Sequence, residues 1–215
     1  MDMVALNRDY CAFGHVTSMD TYFEEAESPA ALNIFWDENT VFNKMFRKLD
    51  LQNVIELACG RGRHVQMYEE KASHIVLVDI LQKNIEYCKE RFTDNKKIEY
   101  YCNNGYNLEE LDNDTYTALF CYDAMVHFEM MDIYEYLKDI HRVLRAGGMA
   151  LLHHSNNTAD YKASFKNASE DYHGRNYMSK DLFAYLAYRA GFDIVCQELQ
   201  NWGIKDLDCV TLLKK

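Results

Sequence analysis

Asn53-Val54-Ile55-Glu56-Leu57-Ala58-Cys59-Gly60-Arg61-Gly62-Arg63-His64 is the stretch that decides how this chain folds. An apolar, β-capable run from Val54 to Leu57 stops at a small-residue turn with glycines at 60 and 62. An open α/β sheet delivers its first strand to a ligand in this way, at the strand's carboxyl edge. Gly60 and Gly62 accept a positive φ, and without a Cβ they let a ligand lie against the backbone. A helix is expected from about Arg63 to Ala72, with its unpaired N–H groups turned toward the same place.

A second apolar strand, His74-Ile75-Val76-Leu77-Val78, runs into Asp79, twenty-three residues past Glu56. An acidic residue after strand, turn, helix and strand suits an acceptor for two vicinal ribose hydroxyls. A dinucleotide fingerprint needs a third glycine where this chain has Val65, and no P-loop pattern is present. A ribose acceptor without a phosphate cradle points to a nucleoside that carries no pyrophosphate.

At these residues the chain resembles the class I methyltransferases that depend on S-adenosylmethionine (SAM). Their nucleotide motif runs acidic-x-G-x-G-x-G; here it reads Glu56 to Gly62, with Ala58 at the first glycine position. The resemblance extends from about residue 50 to the end. It implies an α/β fold, a three-layer sandwich whose seven-stranded, mostly parallel sheet has an antiparallel last strand and helices on both faces. SAM is the implied cofactor. Carried over by position, its contacts fall on Glu56, Ala58, Cys59, Gly60, Gly62, His64, Asp79 and Ile80, on Asn104 and Gly105 after the third strand, and on Cys121 and Tyr122 at the end of the fourth. Asn104 stands where the family has an acidic residue for the adenine amino group, and an amide oxygen accepts the same bond. Asn104-Gly105 is equally a plain turn signal.

The 215 residues suffice for one α/β unit with a full core. A formal net charge of −11 argues against a nucleic-acid substrate, because affinity for a phosphate backbone comes mainly from Lys and Arg. Seven dispersed cysteines, without a CxxC or any metal-type spacing, read as reduced thiols in a cytoplasmic protein, and no metal is expected. No leader segment is read at the start, and no apolar run approaches the roughly 18–20 residues of a membrane span.

Residues 1 to 50 are aromatic-rich and read as a helical lid ahead of a SAM-binding domain over 51–215. Ser28-Pro29 looks like a helix start, and residues 30 to 49 fit one or two amphipathic helices. Leu81, Ile85, Cys88 and Phe92 mark a helix, followed by a strand over 97–102. The fourth strand, Tyr116–Tyr122, leads into Asp123 and His127; the family resemblance places this loop beneath the cofactor's methyl group. A helix carrying Ile133, Leu137, Ile140 and Leu144 stops at Arg145-Ala146-Gly147-Gly148. The fifth strand, Met149–Leu152, ends in His153-His154-Ser155-Asn156, where strand parity lets only one histidine face the site. Residues 157–178 form a polar and aromatic insert, read as the acceptor's wall. Ser179 caps a further helix, and strands near 192–199 and 208–213 complete the sheet.

Methyl transfer to a hydroxyl requires a proton acceptor, and a positioned base adds about 10²–10⁴-fold. His153, His154, Asp123 and His127 are the candidate catalytic residues; Trp36, Tyr22, His173, Arg175, Asn176 and Tyr177 are the candidate acceptor contacts. This surplus of bases favours a hydroxyl acceptor, and the family comparison suggests a sugar or specialised metabolite. The acceptor-side tetrad of nucleobase N-methyltransferases is absent, since Cys121-Tyr122-Asp123-Ala124 stands in its place. A non-catalytic SAM-binding partner subunit and a small-amine N-methyltransferase are the alternatives, and a homodimer is left open.

Overall fold

The computed structural model describes residues 2–17, 20–159, 161 and 174–215. Four helices precede the first strand among the described residues: α1 Met3–Thr17, α2 Asp20–Ala26, α3 Pro29–Trp36 and α4 Val41–Phe46. The Ser28 hydroxyl caps α3 by accepting from the Ala31 N–H (3.2 Å), with Pro29 at the first helical position. Thr40 caps α4 in the same way. The strands are β1 Asn53–Leu57, β2 His74–Asp79, β3 Ile98–Cys102, β4 Tyr116–Cys121, β5 Leu144–Ser155, β6 Asp193–Trp202 and β7 Ile204–Lys214. Between them lie α5 Gln82–Arg91, α6 Met130–Val143 and α7 Lys180–Arg189.

Among the described residues these strands form one seven-stranded sheet in the order β3-β2-β1-β4-β5-β7-β6. Every adjacent pair is parallel except those made by β7, which runs antiparallel to both β5 and β6. The implied architecture is therefore correct. The order reverses between β1 and β4, and ligands of such sheets bind at that switch, outside the carboxyl ends of the strands. Alternate residues of the central strands feed two cores. Val54, Leu77, Phe120 and Leu151 pack against Trp36, Phe42 and Phe46 of α3 and α4. Ile55, Val76, Leu119 and Leu152 pack against Ile133, Leu137 and Ile140 of α6 and Phe183 of α7.

Local expectations fail at three places. The helix expected over 63–72 does not form; the segment is a run of turns around a short 3₁₀ stretch, Val65–Met67. Here 3₁₀ geometry, which aligns residues three apart, buries Val65 and Tyr68 together. Tertiary anchors override propensity: the Tyr68 hydroxyl donates to buried Glu56 (2.7 Å), and the Trp36 indole N–H donates to His64 Nδ1 (3.0 Å). The helix expected to run to Leu144 ends at Val143, and Leu144 already pairs with Tyr116 as the start of β5, ahead of a register shift that absorbs Gly147 and Gly148. The last two strands are longer than their apolar runs and meet in a hairpin at Gly203, whose φ of +70° suits glycine. Residues 160 and 162–173, most of the expected acceptor wall, lie outside the described residues.

Candidate active site at the carboxyl edge of the sheet

A cavity of about 1070 Å³, counting its open mouth, lies at the carboxyl ends of β1, β2 and β4. The β1 turn forms its floor. Ala58 (φ +58°) and Gly60 (φ +56°) both adopt left-handed backbone there, so the first motif position takes the glycine-like conformation although it holds alanine. The donors that fix the Asp79 carboxylate at the wall include the Gly60 N–H (2.8 Å), the Leu81 N–H (2.9 Å) and the Asn84 amide (3.1 Å).

Of the expected cofactor residues, Ala58, Cys59, Gly60, His64, Asp79, Ile80, Gly105 and Tyr122 line this cavity, and so do Asp123 and His127. Others stand elsewhere. Glu56 is buried beneath the turn on Tyr68, and burial pushes its carboxyl up to about 8. Gly62 abuts Phe92, where a Cβ would sit 2.6 Å from the ring. Cys121 belongs to the core under α6. Asn104 closes a turn, its Oδ1 accepting from the Tyr106 (3.1 Å) and Asn107 (3.0 Å) N–H groups.

The neighbouring Asn103 does line the cavity. Its amide donates to the Tyr136 hydroxyl (2.7 Å) and the Asn107 carbonyl (2.9 Å). Its Oδ1 is buried and has no partner among the described residues. Register places it there: the Asn103 N–H continues the β2–β3 ladder onto the Asp79 carbonyl (3.0 Å), and because Asp79 is paired with Cys102 the Asn103 side chain falls on the other face, toward Tyr136.

The paired histidines separate as parity requires. His154 points to the α7 face, stacked on Phe183 (3.6 Å), with Nε2 on Thr211 (2.9 Å), and burial drives its pKa down to about 3. It does not reach the cavity. His153 lies on the opposite face behind Tyr122, fully buried and also outside the lining. The candidate acceptor contacts are likewise dispersed. Trp36 packs among Phe42 and Phe46, Arg175 pairs with Asp208 (2.9 Å), and the Asn176 amide donates to the His127 carbonyl. Tyr177 is 40% exposed in a bridge with Asn157. Tyr22 sits on α2 with its side chain outside what is described, and His173 lies outside the described residues.

The roof comes from the segment expected to form a lid, at positions other than the expected acceptor contacts Tyr22 and Trp36. Arg8, Cys11 and Ala12 of α1 and Phe23 and Ala26 of α2 line the cavity from above. Arg8 makes a bidentate pair with Asp132 at the start of α6 (2.9 and 2.6 Å), and that hydrogen bonding raises its pKa. Arg61 lies over the Phe23 ring (4.4 Å), and Arg91 ties Glu27 down (2.7 Å). Two contacts compete at His64. Arg63 Nε is 3.2 Å from Nε2, opposite the indole at Nδ1. Burial keeps the ring neutral, and a neutral imidazole accepts at one nitrogen only. Both neighbours can only donate, but the indole contact is the shorter and Arg63 also has the Asp123 carboxylate, so Nδ1 is the acceptor and Nε2 carries the proton.

Residues 54–148 match a family model described as a methyltransferase domain. This segment, somewhat under half of the chain, is similar to that family, and the fold around it is that of class I, SAM-dependent methyltransferases. No curated protein matches the sequence. Solved structures resemble the methyltransferase in fold. A SAM-dependent methyltransferase of Mesorhizobium loti is 13% identical with a TM-score of 0.66, over 81% of this chain and 97% of that one. The [4+2]-cyclase SpnF is 11% identical (TM-score 0.64; 80% and 78% covered). A Haloferax volcanii chain solved with the Trm112 methyltransferase activator is 12% identical (TM-score 0.64; 89% and 94% covered).

SAM is the cofactor of this domain, and the cavity fits it. The orphaned Asn103 Oδ1 is an acceptor that an adenine amino group satisfies, and a buried amide oxygen without a partner calls for such an explanation. The left-handed turn at Ala58 and Gly60 presents backbone to the same space. Among the described residues no group of three His, Cys, Asp or Glu is placed to hold a metal ion, and no helix is long and apolar enough to cross a membrane.

Proposed function

We propose that the methyltransferase acts on a hydroxyl of a small molecule, a sugar or specialised metabolite, with His127 as the proton acceptor. The observation that carries this reading is the setting of His127, which lines the cavity on the loop after β4 and has Nδ1 2.9 Å from the Gly174 carbonyl. A carbonyl only accepts, so Nδ1 holds the proton and the ring is fixed with its basic lone pair on Nε2. Bound SAM supplies a methyl carbon on a sulfonium centre, open to displacement in line with the departing sulfur. Asn103, Asp79 and the Ala58–Gly60 turn would hold the cofactor, and α1 and α2 would close over it to exclude water. Asp123 is the weaker candidate for the base, because its carboxylate is already paired with Arg63 (2.8 Å). Neither His153 nor His154 is retained as the base.

The net charge of −11 favours a small acceptor over a nucleic acid. All seven cysteines are free, which supports a reducing, cytoplasmic setting.

The test is His127→Asn, whose amide keeps a donor toward Gly174 but has nothing at the Nε2 position. Release of S-adenosylhomocysteine (SAH) is followed over a panel of sugars, phenols and small amines. Turnover on a hydroxyl acceptor should fall by about 10²–10⁴-fold with SAH affinity kept. Turnover confined to amines would replace this reading with the N-methyltransferase one, and SAH binding without turnover on any acceptor would favour a partner-subunit role.

A further inference from the structure

His153 does not line the cavity, yet it touches both residues through which β4 enters it. Its ring stacks on Tyr122 (centroids 4.7 Å apart, 27° between planes), and its Nδ1 accepts the Asp123 backbone N–H (3.1 Å). Asp123 stands at φ +57°, a left-handed conformation that Asp visits more readily than other residues with a Cβ but that still gains from a partner for its N–H. On the far side of the ring, Nε2 lies 3.3 Å from Asp208 Oδ2, a charge contact without hydrogen-bond alignment. Asp208 is itself fully buried and takes Arg175 Nε on Oδ1 (3.0 Å) and Nη2 on Oδ2 (2.9 Å).

This chain of contacts determines the state of the ring. A neutral imidazole has one donor and one acceptor nitrogen. With an N–H aimed at Nδ1, the proton must sit on Nε2, where it faces a carboxylate. The other tautomer would set two N–H groups head to head and turn a lone pair toward buried Asp208.

We infer that His153 is a positioning residue. Set as the neutral Nε2–H tautomer by the Asp123 N–H on Nδ1, with Nε2 facing Asp208, it keeps Asp123 in the left-handed turn that brings the Asp123 carboxylate and its partner Arg63 to the cavity wall. Arg175, next to the Gly174 that orients His127, anchors the far end of the same chain. The inference uses the reading of the cavity as the SAM site only to choose a ligand for one arm of its test.

The first arm is imidazole ¹⁵N NMR of the native protein without ligand at pH 7.5. Long-range ¹H–¹⁵N correlations should show His153 with an unprotonated Nδ1 and a protonated Nε2. A Nδ1–H or doubly protonated ring would overturn the proposal, whatever the cavity binds. The second arm titrates SAH calorimetrically into His153→Asn and His153→Gln. The asparagine places an acceptor where Nδ1 stood and should bind SAH within about threefold of the native protein. The glutamine reaches toward Asp208 instead and should bind at least fivefold more weakly. Equal losses in the two variants would reduce His153 to a packing residue and overturn the proposal. Absence of SAH binding to the native protein would instead defeat the cofactor reading and leave the tautomer arm standing.

Discussion

Ala58 and Gly60 sit two residues apart in the same turn with nearly the same backbone, φ +58° and +56°, so exchanging their side chains should give effects of opposite sign. A left-handed conformation costs an L-residue with a Cβ roughly 1–2 kcal/mol. In Ala58→Gly that strain disappears, while the greater freedom of unfolded glycine takes back about 0.4–1 kcal/mol. The net gain is about 1 kcal/mol, which raises Tm by about 2–4 °C in a chain of this length. Gly60→Ala reverses both contributions and adds a third, since the new Cβ would stand 3.2 Å from Phe23 Cε1. That contact pushes against the helix roofing the cavity. Its Tm should therefore fall by more than Ala58→Gly gains, and SAH should bind more weakly. Differential scanning calorimetry of the two variants and the native chain reads both signs. A lower Tm for Ala58→Gly would show that the Ala58 methyl contributes packing worth more than the strain, and the argument from φ would fail.

Asn103→Ala should weaken SAH binding by about 3–10-fold, the worth of one hydrogen bond, whereas Asn104→Ala should lower Tm and leave affinity within twofold; calorimetric titration of both distinguishes the residue at the cavity from its neighbour in the turn. Glu56 gives a pH prediction. Burial raises its folded pKa to about 8, above the ordinary value of 4.5, so the folded state holds a proton that the unfolded state releases. Its stabilising contribution is complete below about pH 4.5 and is lost as pH rises toward and through 8. Glu56→Gln, which cannot ionise, should lose less Tm than the native chain between pH 5.5 and 8.5, and parallel melting curves would remove this account. Arg8→Met breaks the bidentate pair with Asp132 and should speed amide hydrogen exchange along α1 well before it affects the sheet. Unchanged protection of α1 would mean that Arg8 does not latch the roof.

The sheet was legible because its central strands are buried on both faces, so Val54–Leu57, His74–Val78 and Tyr116–Cys121 appear in the sequence as short apolar runs, each ending in a turn. The site was legible only where backbone conformation dictates composition, as at Gly60, or where a strand end carries a charge, as at Asp79. Periodicity says nothing about which of two adjacent polar residues faces a ligand. The choice between Asn103 and Asn104 depends on the ladder to β2, and the separation of His153 from His154 depends on which face β7 and α7 cover. The same limit explains the segment after Gly62. Its propensity favours helix, yet Tyr68 and His64 bond to Glu56 and Trp36, partners 12 and 28 residues away in the chain. Local periodicity registers neither bond, and no local window contains both ends of the longer one. A helical lid was expected of residues 1–50, but which of its side chains reach the cavity was not legible, for a related reason. Arg8 and Phe23 lie in a weakly patterned region, and each acquires a role from a residue more than 35 positions further along, Asp132 and Arg61. Where function rests on pairings this distant, sequence identifies the chemistry available at a strand end, and only the packed chain decides which copy of that chemistry is used. His127 illustrates the point: it is one of four candidate bases, and the proposal that singles it out rests on a hydrogen bond to the carbonyl of Gly174, 47 residues away.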